Sequence, residues 1–383
     1  MKRTRFFCLL LALAVVFALL PTVPQTASAA GPNPTLTPGD ECRITSMADA
    51  NAASLGYYTT LAEALAVIAL EPEYNYNIEI LKNISITGDL TIPGGQEVYF
   101  WLNGYDVTVS GDLISHAQRI LQINGDDPGG SLSVDGVILH GFSYETGLYV
   151  CWGAVVTIAN DLTANTCRDW QIAVSVDGFW NQDSKLIVGG DINSNGTGIK
   201  AFFGTTATVG GSIYANGYFG IHAYFNADVT VGGDVIVPYG GGVEAWEGST
   251  VTIIGTINAV PRVSKDSMST VTYTYTPTGK DVCEIVGGAR YEFLEDALYA
   301  VADGQTIRLL SNITYNSRMW IANGVAFTID LNGNSVTFDK EGIIIIINES
   351  DVTFAATGGG ILQCTSFEVF GDSKLYLPFS PKG

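Results

Sequence analysis

Val188-Gly189-Gly190-Asp191-Ile192, Val209-Gly210-Gly211-Ser212-Ile213, Val231-Gly232-Gly233-Asp234-Val235 and Ile253-Ile254-Gly255-Thr256-Ile257 are four copies of one phrase, spaced 21, 22 and 22 residues apart. The phrase runs β-branched residue, one free position, Gly or Asn, then Asp, Ser or Thr, then an apolar residue. Upstream it recurs as Ile86-Thr87-Gly88-Asp89-Leu90, Val109-Ser110-Gly111-Asp112-Leu113 and Ile158-Ala159-Asn160-Asp161-Leu162, with a degenerate copy at Val134-Asp135-Gly136-Val137. The earlier steps are 23 to 30 residues. Self-similarity at such a period is the mark of a solenoid. A coil of this length holds three short strands and three turns, each strand pairing with those above and below at about 4.8 Å per rung. The flanking β-branched and apolar residues point inward and stack. Gly or Asn is expected to supply left-handed backbone at the corner.

A second register lies between these phrases: Gly198-Ile199-Lys200-Ala201-Phe202, Gly220-Ile221-His222-Ala223-Tyr224 and Gly242-Val243-Glu244-Ala245-Trp246, with an earlier version at Gly147-Leu148-Tyr149-Val150-Cys151. Strand alternation sends Ile199, Ile221 and Val243 inward with Ala201, Ala223 and Ala245, and leaves the intervening residues facing solvent in two columns. A β-sandwich has no such register, and a propeller blade takes about 40 residues. The expected fold class is therefore all-β, a parallel β-helix solenoid.

Residues 1–29 read as a secretory signal peptide. Lys2, Arg3 and Arg5 form a basic start, Phe6 to Leu20 is an apolar run too short for a stable membrane span, and Ala27-Ser28-Ala29 is a small-residue cleavage site. Residues 30–40 form a leader, 41–260 the first solenoid, 261–282 a linker rich in Ser, Thr and Pro with room for one irregular strand, and 283–383 a second, shorter unit. The second unit repeats the opening of the first: Cys42-Arg43-Ile44 against Cys283-Glu284-Ile285, Leu61-Ala62-Glu63-Ala64-Leu65 against Leu294-Glu295-Asp296-Ala297-Leu298, Ile80-Leu81-Lys82-Asn83-Ile84 against Leu309-Leu310-Ser311-Asn312-Ile313, and Leu102-Asn103-Gly104 against Leu331-Asn332-Gly333. Leu61, Ala64, Leu65 and Ile68 recur at helical spacing, as do Leu294, Ala297, Leu298 and Val301. Each set predicts a short amphipathic helix capping the N-terminal end of its stack, where apolar core and strand edges would otherwise be open.

The chain carries 18 Lys and Arg against 38 Asp and Glu, a formal charge of −20, and loss of the three signal-peptide cations takes it to −23. Such a field repels nucleic acid and anionic lipid, so neither is an expected partner, and no membrane span is expected after cleavage. Five cysteines remain beyond residue 29. Cys151 and Cys167 are the nearest pair and would close a short loop, and the odd count leaves at least one thiol free.

The Leu-x-Glu-Ala-Leu helix, the Ile-x-Leu-Leu-x-Asn-Ile strand and the Leu-Asn-Gly turn resemble the opening of many exported bacterial right-handed β-helix proteins of the pectate-lyase-like superfamily. The resemblance covers most of residues 41–383. It implies a right-handed winding and a secreted or cell-surface location in a bacterium. For activity it implies either polysaccharide lyases and hydrolases or adhesins and surface modules without chemistry, so fold does not decide function. Lyases of this kind hold an acidic substrate through calcium on grouped carboxylates, with Arg or Lys as base. Here only Arg168-Asp169 and Asp183-Ser184-Lys185 come near that pattern. The Asn-x-Asp, Asp-Asp and Gly-His-Gly set of the resembling polygalacturonases is absent, since Asp126-Asp127 stands in a Gly/Pro turn without such neighbours.

Three constellations remain. The aromatic column Phe202, Tyr224 and Trp246, with Lys200 beside it and Phe203 and Phe225 next to it, is the expected ligand-binding stripe, because aromatic faces stack on sugar rings. His222 and Glu244, one rung apart, are the acid–base candidates, although no catalytic set is assigned. Asp89, Asp112, Asp161, Asp191 and Asp234 form a carboxylate column. Asp161, Asp191 and Asp234 would be the ligands if Ca2+ were bound, whereas Ser212 and Thr256 in the same slot speak for turn capping, and no cofactor is expected. The function expected is a secreted or cell-surface module binding glycan or envelope components through the stripe. A polysaccharide lyase or hydrolase working on that face, and a structural spacer, are the alternatives.

Overall fold

The computed structural model describes residues 35–377 apart from 47–55, 71–73, 96, 126–128, 141, 144, 166–167, 169, 179–182, 239, 260–261, 275–278, 316–317, 339–341 and 348. The signal peptide, most of the leader, Asp126-Asp127, Cys167 and Asp169 lie outside these residues. Strands stack into sheets of eleven, nine and eight members, followed by a second set of six, three and three. One rung comprises Thr197–Phe202, Thr206–Val209 and Ile213–Ala215, one strand for each of the three long sheets. All pairing within the rungs is parallel and in register: Leu148, Val174, Ile199, Ile221, Val243 and Val263 lie one above the next. All six are buried. The column in the sequence is thus a column in space.

The repeated phrase makes the corner between the nine- and eight-stranded sheets. From Asp161 to Asp234 the Asp or Ser side chain reaches up to accept the backbone N–H of the equivalent residue one rung on: Asp161 Oδ1 from Asp191 at 2.7 Å, Asp191 Oδ1 from Ser212 at 2.7 Å, Ser212 Oγ from Asp234 at 3.0 Å and Asp234 Oδ1 from Thr256 at 2.7 Å. The glycine before it is required because a Cβ there would fall onto that side chain, at 2.1 Å from Asp191 Oδ1 for Gly211 and 2.4 Å from Asp234 Oδ1 for Gly255. This corrects the expected reason for the glycine. Among the glycines of the phrase only Gly88 has a left-handed φ. The left-handed pairs sit at another corner, after the eleven-stranded sheet: Trp152-Gly153, Phe203-Gly204, Phe225-Asn226 and Glu247-Gly248.

Helices Leu61–Leu70 and Leu294–Ala300 form where the periodicity placed them, burying Leu61, Ala64, Leu65 and Ile68, and Leu294, Ala297 and Leu298. The first begins with a capping box, Glu63 N donating to Thr60 Oγ1 and Thr60 N to Glu63 Oε2, both at 3.2 Å. Each follows an antiparallel pair, Cys42–Ser46 with Gly56–Tyr58 and Cys283–Ile285 with Arg290–Tyr291. The buried apolar residues divide into two clusters, Cys42 to Val263 and Cys283 to Cys364. Cys42, Cys151, Cys283 and Cys364 are free, buried thiols, and Cys167, the expected partner of Cys151, lies outside the described residues.

The segment expected as a linker is not one along its whole length. Val263–Lys265 and Thr270–Tyr273 pair in parallel with Gly241–Ala245 and Thr250–Ile253, extending the first stack by another partial rung. Its irregular composition hid strands whose partners are 20 residues back. Against this last rung rests the helix of the second unit: Arg262 lies 3.6 Å over the Phe293 ring, and Lys265 N donates to the Tyr299 hydroxyl at 2.6 Å. A cavity of about 200 Å³ remains at this junction, lined by Ala259, Arg262, Val282, Phe293, Leu294 and Glu295 among others. Enclosure raises the Glu295 carboxyl from 4.5 to about 7, against the opposing pull of its own N–H, Tyr315 and Arg262.

Gly211→Ala is expected to cost about 1–3 kcal/mol by overpacking, read as a fall in the denaturant midpoint. Combined with Asp191→Ala the two losses are expected to be less than additive, because the closest collision is with the Asp191 carboxylate, the Gly190 backbone at 2.8 Å making up the rest. Strict additivity would mean that the corner does not work this way. For Glu295, a raised folded-state value means that its contribution to stability is complete below pH 4.5 and lost as pH rises through about 7. The difference in stability between wild type and Glu295→Gln should therefore change across that interval and be flat outside it.

Candidate functional site

The outer face of the eleven-stranded sheet carries two columns, as strand alternation requires. One runs Asn77, Tyr99, Gln122, Tyr149, Ser175, Lys200, His222, Glu244 and Ser264. Its neighbour includes Asp177, Phe202 and Tyr224 in register, with Trp246 one rung further on. Both columns are joined laterally. Tyr149 donates to Asp177, Gln122 Nε2 donates to Asn124 Oδ1 at 2.7 Å, and the Cys151 thiol donates to the same oxygen at 2.9 Å. Lys200 pairs with Glu145 at 3.1 Å and lies 4.7 Å over the Phe202 ring, which stacks on Tyr224 at 5.9 Å.

His222, Tyr224 and Glu244 form one cluster. His222 Nε2 touches both the Glu244 carboxylate and the Tyr224 hydroxyl, Tyr224 donates to Glu244 Oε2 at 3.0 Å, and Phe219 stacks on the imidazole at 5.1 Å. Burial, with the Glu244 charge behind it, raises the Tyr224 phenol far above its ordinary value and holds it neutral. The sequence reading put Glu244 on a solvated column, and the structure corrects it. Glu244 is 2% exposed, and its Oε1 has no hydrogen-bond partner among the described residues. The pair touches solvent through His222.

The stripe is also corrected in part. Phe202 and Tyr224 are half-buried, and Trp246 is 8% exposed, its ring 5.7 Å from Trp320 of the second unit at a 60° tilt. The rings that face solvent are Phe203 and Phe225, 39% and 40% exposed and stacked at 4.6 Å. The left-handed turn turns them outward, one residue past the strand. Arg318 of the second unit lies 5.4 Å over Tyr218. Between the units opens a cleft of about 600 Å³ lined by Tyr224, Trp246, Glu247, Asp266, Met268, Trp320 and Asn323 among others. Trp320, Asn323 and Asp266 were missed by sequence reasoning. The isolated tryptophan on a strand, Trp320, was the one signal that pointed there.

No protein-family model, no curated protein and no solved structure matches the chain. The site is therefore read from its own geometry. Asp161, Asp191 and Asp234 each commit an oxygen to the backbone of the next rung, the turn-capping alternative for that column. Among the described residues no group of three His, Cys, Asp or Glu side chains gathers as a metal site would need. Arg168, Asp183 and Lys185 are exposed and stand away from the cleft lining.

Because Trp246 is packed, Trp246→Ala is expected to destabilise by about 3–5 kcal/mol, whereas Phe225→Ala should cost no more than about 1.5 kcal/mol, the worth of one stacked pair. Equal denaturant midpoints for the two variants would contradict the burial described.

Proposed function

We propose that this chain is a secreted or cell-surface bacterial module that binds polysaccharide or cell-envelope glycan on the outer face of its eleven-stranded sheet, with the cleft as the principal seat. The observation that carries this reading is the cleft itself. The Trp320 indole and the Tyr224 phenol supply flat apolar faces, the buried Trp246 backs the Trp320 ring, and Glu247 and Asn323 supply polar groups at the edge. That combination suits a ring with apolar faces and a rim of hydroxyls. The exposed Phe203–Phe225 stack continues the aromatic surface away from the cleft. Right-handed winding and kinship with the pectate-lyase-like superfamily belong to the same reading and rest on the three opening motifs. The net charge of −20 argues against nucleic acid, and among the described residues no helix is long and apolar enough to cross a membrane.

A hydrolase or lyase is the second reading, and the contact between His222 and Glu244 is what favours it. A panel of neutral, amino and uronate polysaccharides, with and without calcium, separates the two when both binding and new chain ends are measured. The expected result is binding without new ends, weakened at least about tenfold by Trp320→Ala. New chain ends would replace the module by an enzyme, and an absence of binding would leave a structural spacer.

A further inference from the structure

We propose that the cleft selects a glycan bearing free amines, a polymer of 2-amino-2-deoxy sugars, over neutral, N-acetylated or uronic-acid chains. This deepens the glycan reading above and rests on it. Two carboxylates, Glu247 and Asp266, line the cleft beside the aromatic rings. Glu247 is exposed at the rim, and no ion pair is recorded for it among the described residues. Asp266 is buried, its carboxylate accepting the N–H groups of Glu247, Met268 and Ser269 at 2.7, 3.2 and 2.8 Å. Glu244 lies outside the cleft lining, behind the Tyr224 phenol and against His222.

No Lys, Arg or His is among the described residues lining the cleft, and His222 is held against Glu244 and Tyr224. Lys265 Nζ donates to the backbone oxygens of Asp266 and Ser269, and Arg318 stacks on Tyr218. Negative potential is therefore concentrated beside Trp246, Trp320 and Tyr224, and an ammonium held over such rings gains from their quadrupoles as well as from the carboxylates. A uronate would meet that potential with the wrong sign. An N-acetylated sugar would meet it with no charge. The flat faces of the half-buried Trp320 indole and Tyr224 phenol suit a sugar ring better than a flexible lysine stem, so an amino sugar is favoured over a basic peptide.

The test uses the full mature chain in calorimetric titrations with short oligomers of glucosamine, N-acetylglucosamine, glucose and galacturonate, and with oligolysine, at a pH where the amine is protonated. Glucosamine oligomers are expected to bind at least about tenfold more tightly than their acetylated counterparts. Added salt should weaken the amine oligomers selectively. Glu247→Gln, shown by thermal melting to fold as wild type, should cut the preference severalfold, weakening the amine oligomers more than the acetylated ones. Equal or tighter binding of the acetylated or neutral oligomers would overturn amine selection while the glycan reading stood. Binding of oligolysine alone, or of nothing in the panel, would overturn both.

Discussion

Everything in this molecule depends on vertical registration. A parallel rung has no choice of partner: each strand takes its backbone bonds from the strand one coil earlier and offers them to the one after, so a residue's neighbours are its equivalents in the repeat. The interior file from Leu148 to Val263 is the result. Registration is enforced at the corners as well as in the strands. The Asp or Ser of one rung bonds to the next rung's backbone, and the glycine above it leaves room for that side chain to stand. A carboxylate column that resembles a cation ladder on paper serves here as a hydrogen-bonded seam.

The same registration that builds the core builds the outer face. Because like positions lie above each other, a chemically varied column becomes a chain of contacts: Lys200 beside Phe202, Phe202 on Tyr224, Tyr224 with His222 and Glu244. Such ladders shield one another, which is why residues that alternate outward are half-buried and not free. Glu244 is the extreme case. Its two neighbours in the ladder close over it, and the carboxylate stays accessible only through them.

Where the stack stops, the second unit supplies what more rungs would have given. Its helix rests against the last strands, and its Trp320 covers Trp246. Where the two units meet they leave a cleft lined by residues of both. Function in a repeat fold concentrates at such interruptions, and this one gathers aromatic rings and carboxylates at the same place.

Residue order alone determined the coil length, the inward file, the two outward columns and both capping helices, because each follows from periodicity and alternation between residues close in the chain or one repeat apart. It was silent where the physics is not local. Val263–Lys265 pairs through its backbone, so nothing in its side chains announces a strand. Trp246 looks exposed when only its own rung is considered, and it is buried because a residue 74 positions later lies on it. Glycine could be read as a turn former, but only the stacked corner shows that it makes room for the side chain beneath. The tertiary structure decided the cleft, because a surface made where two separate cores meet belongs to neither repeat.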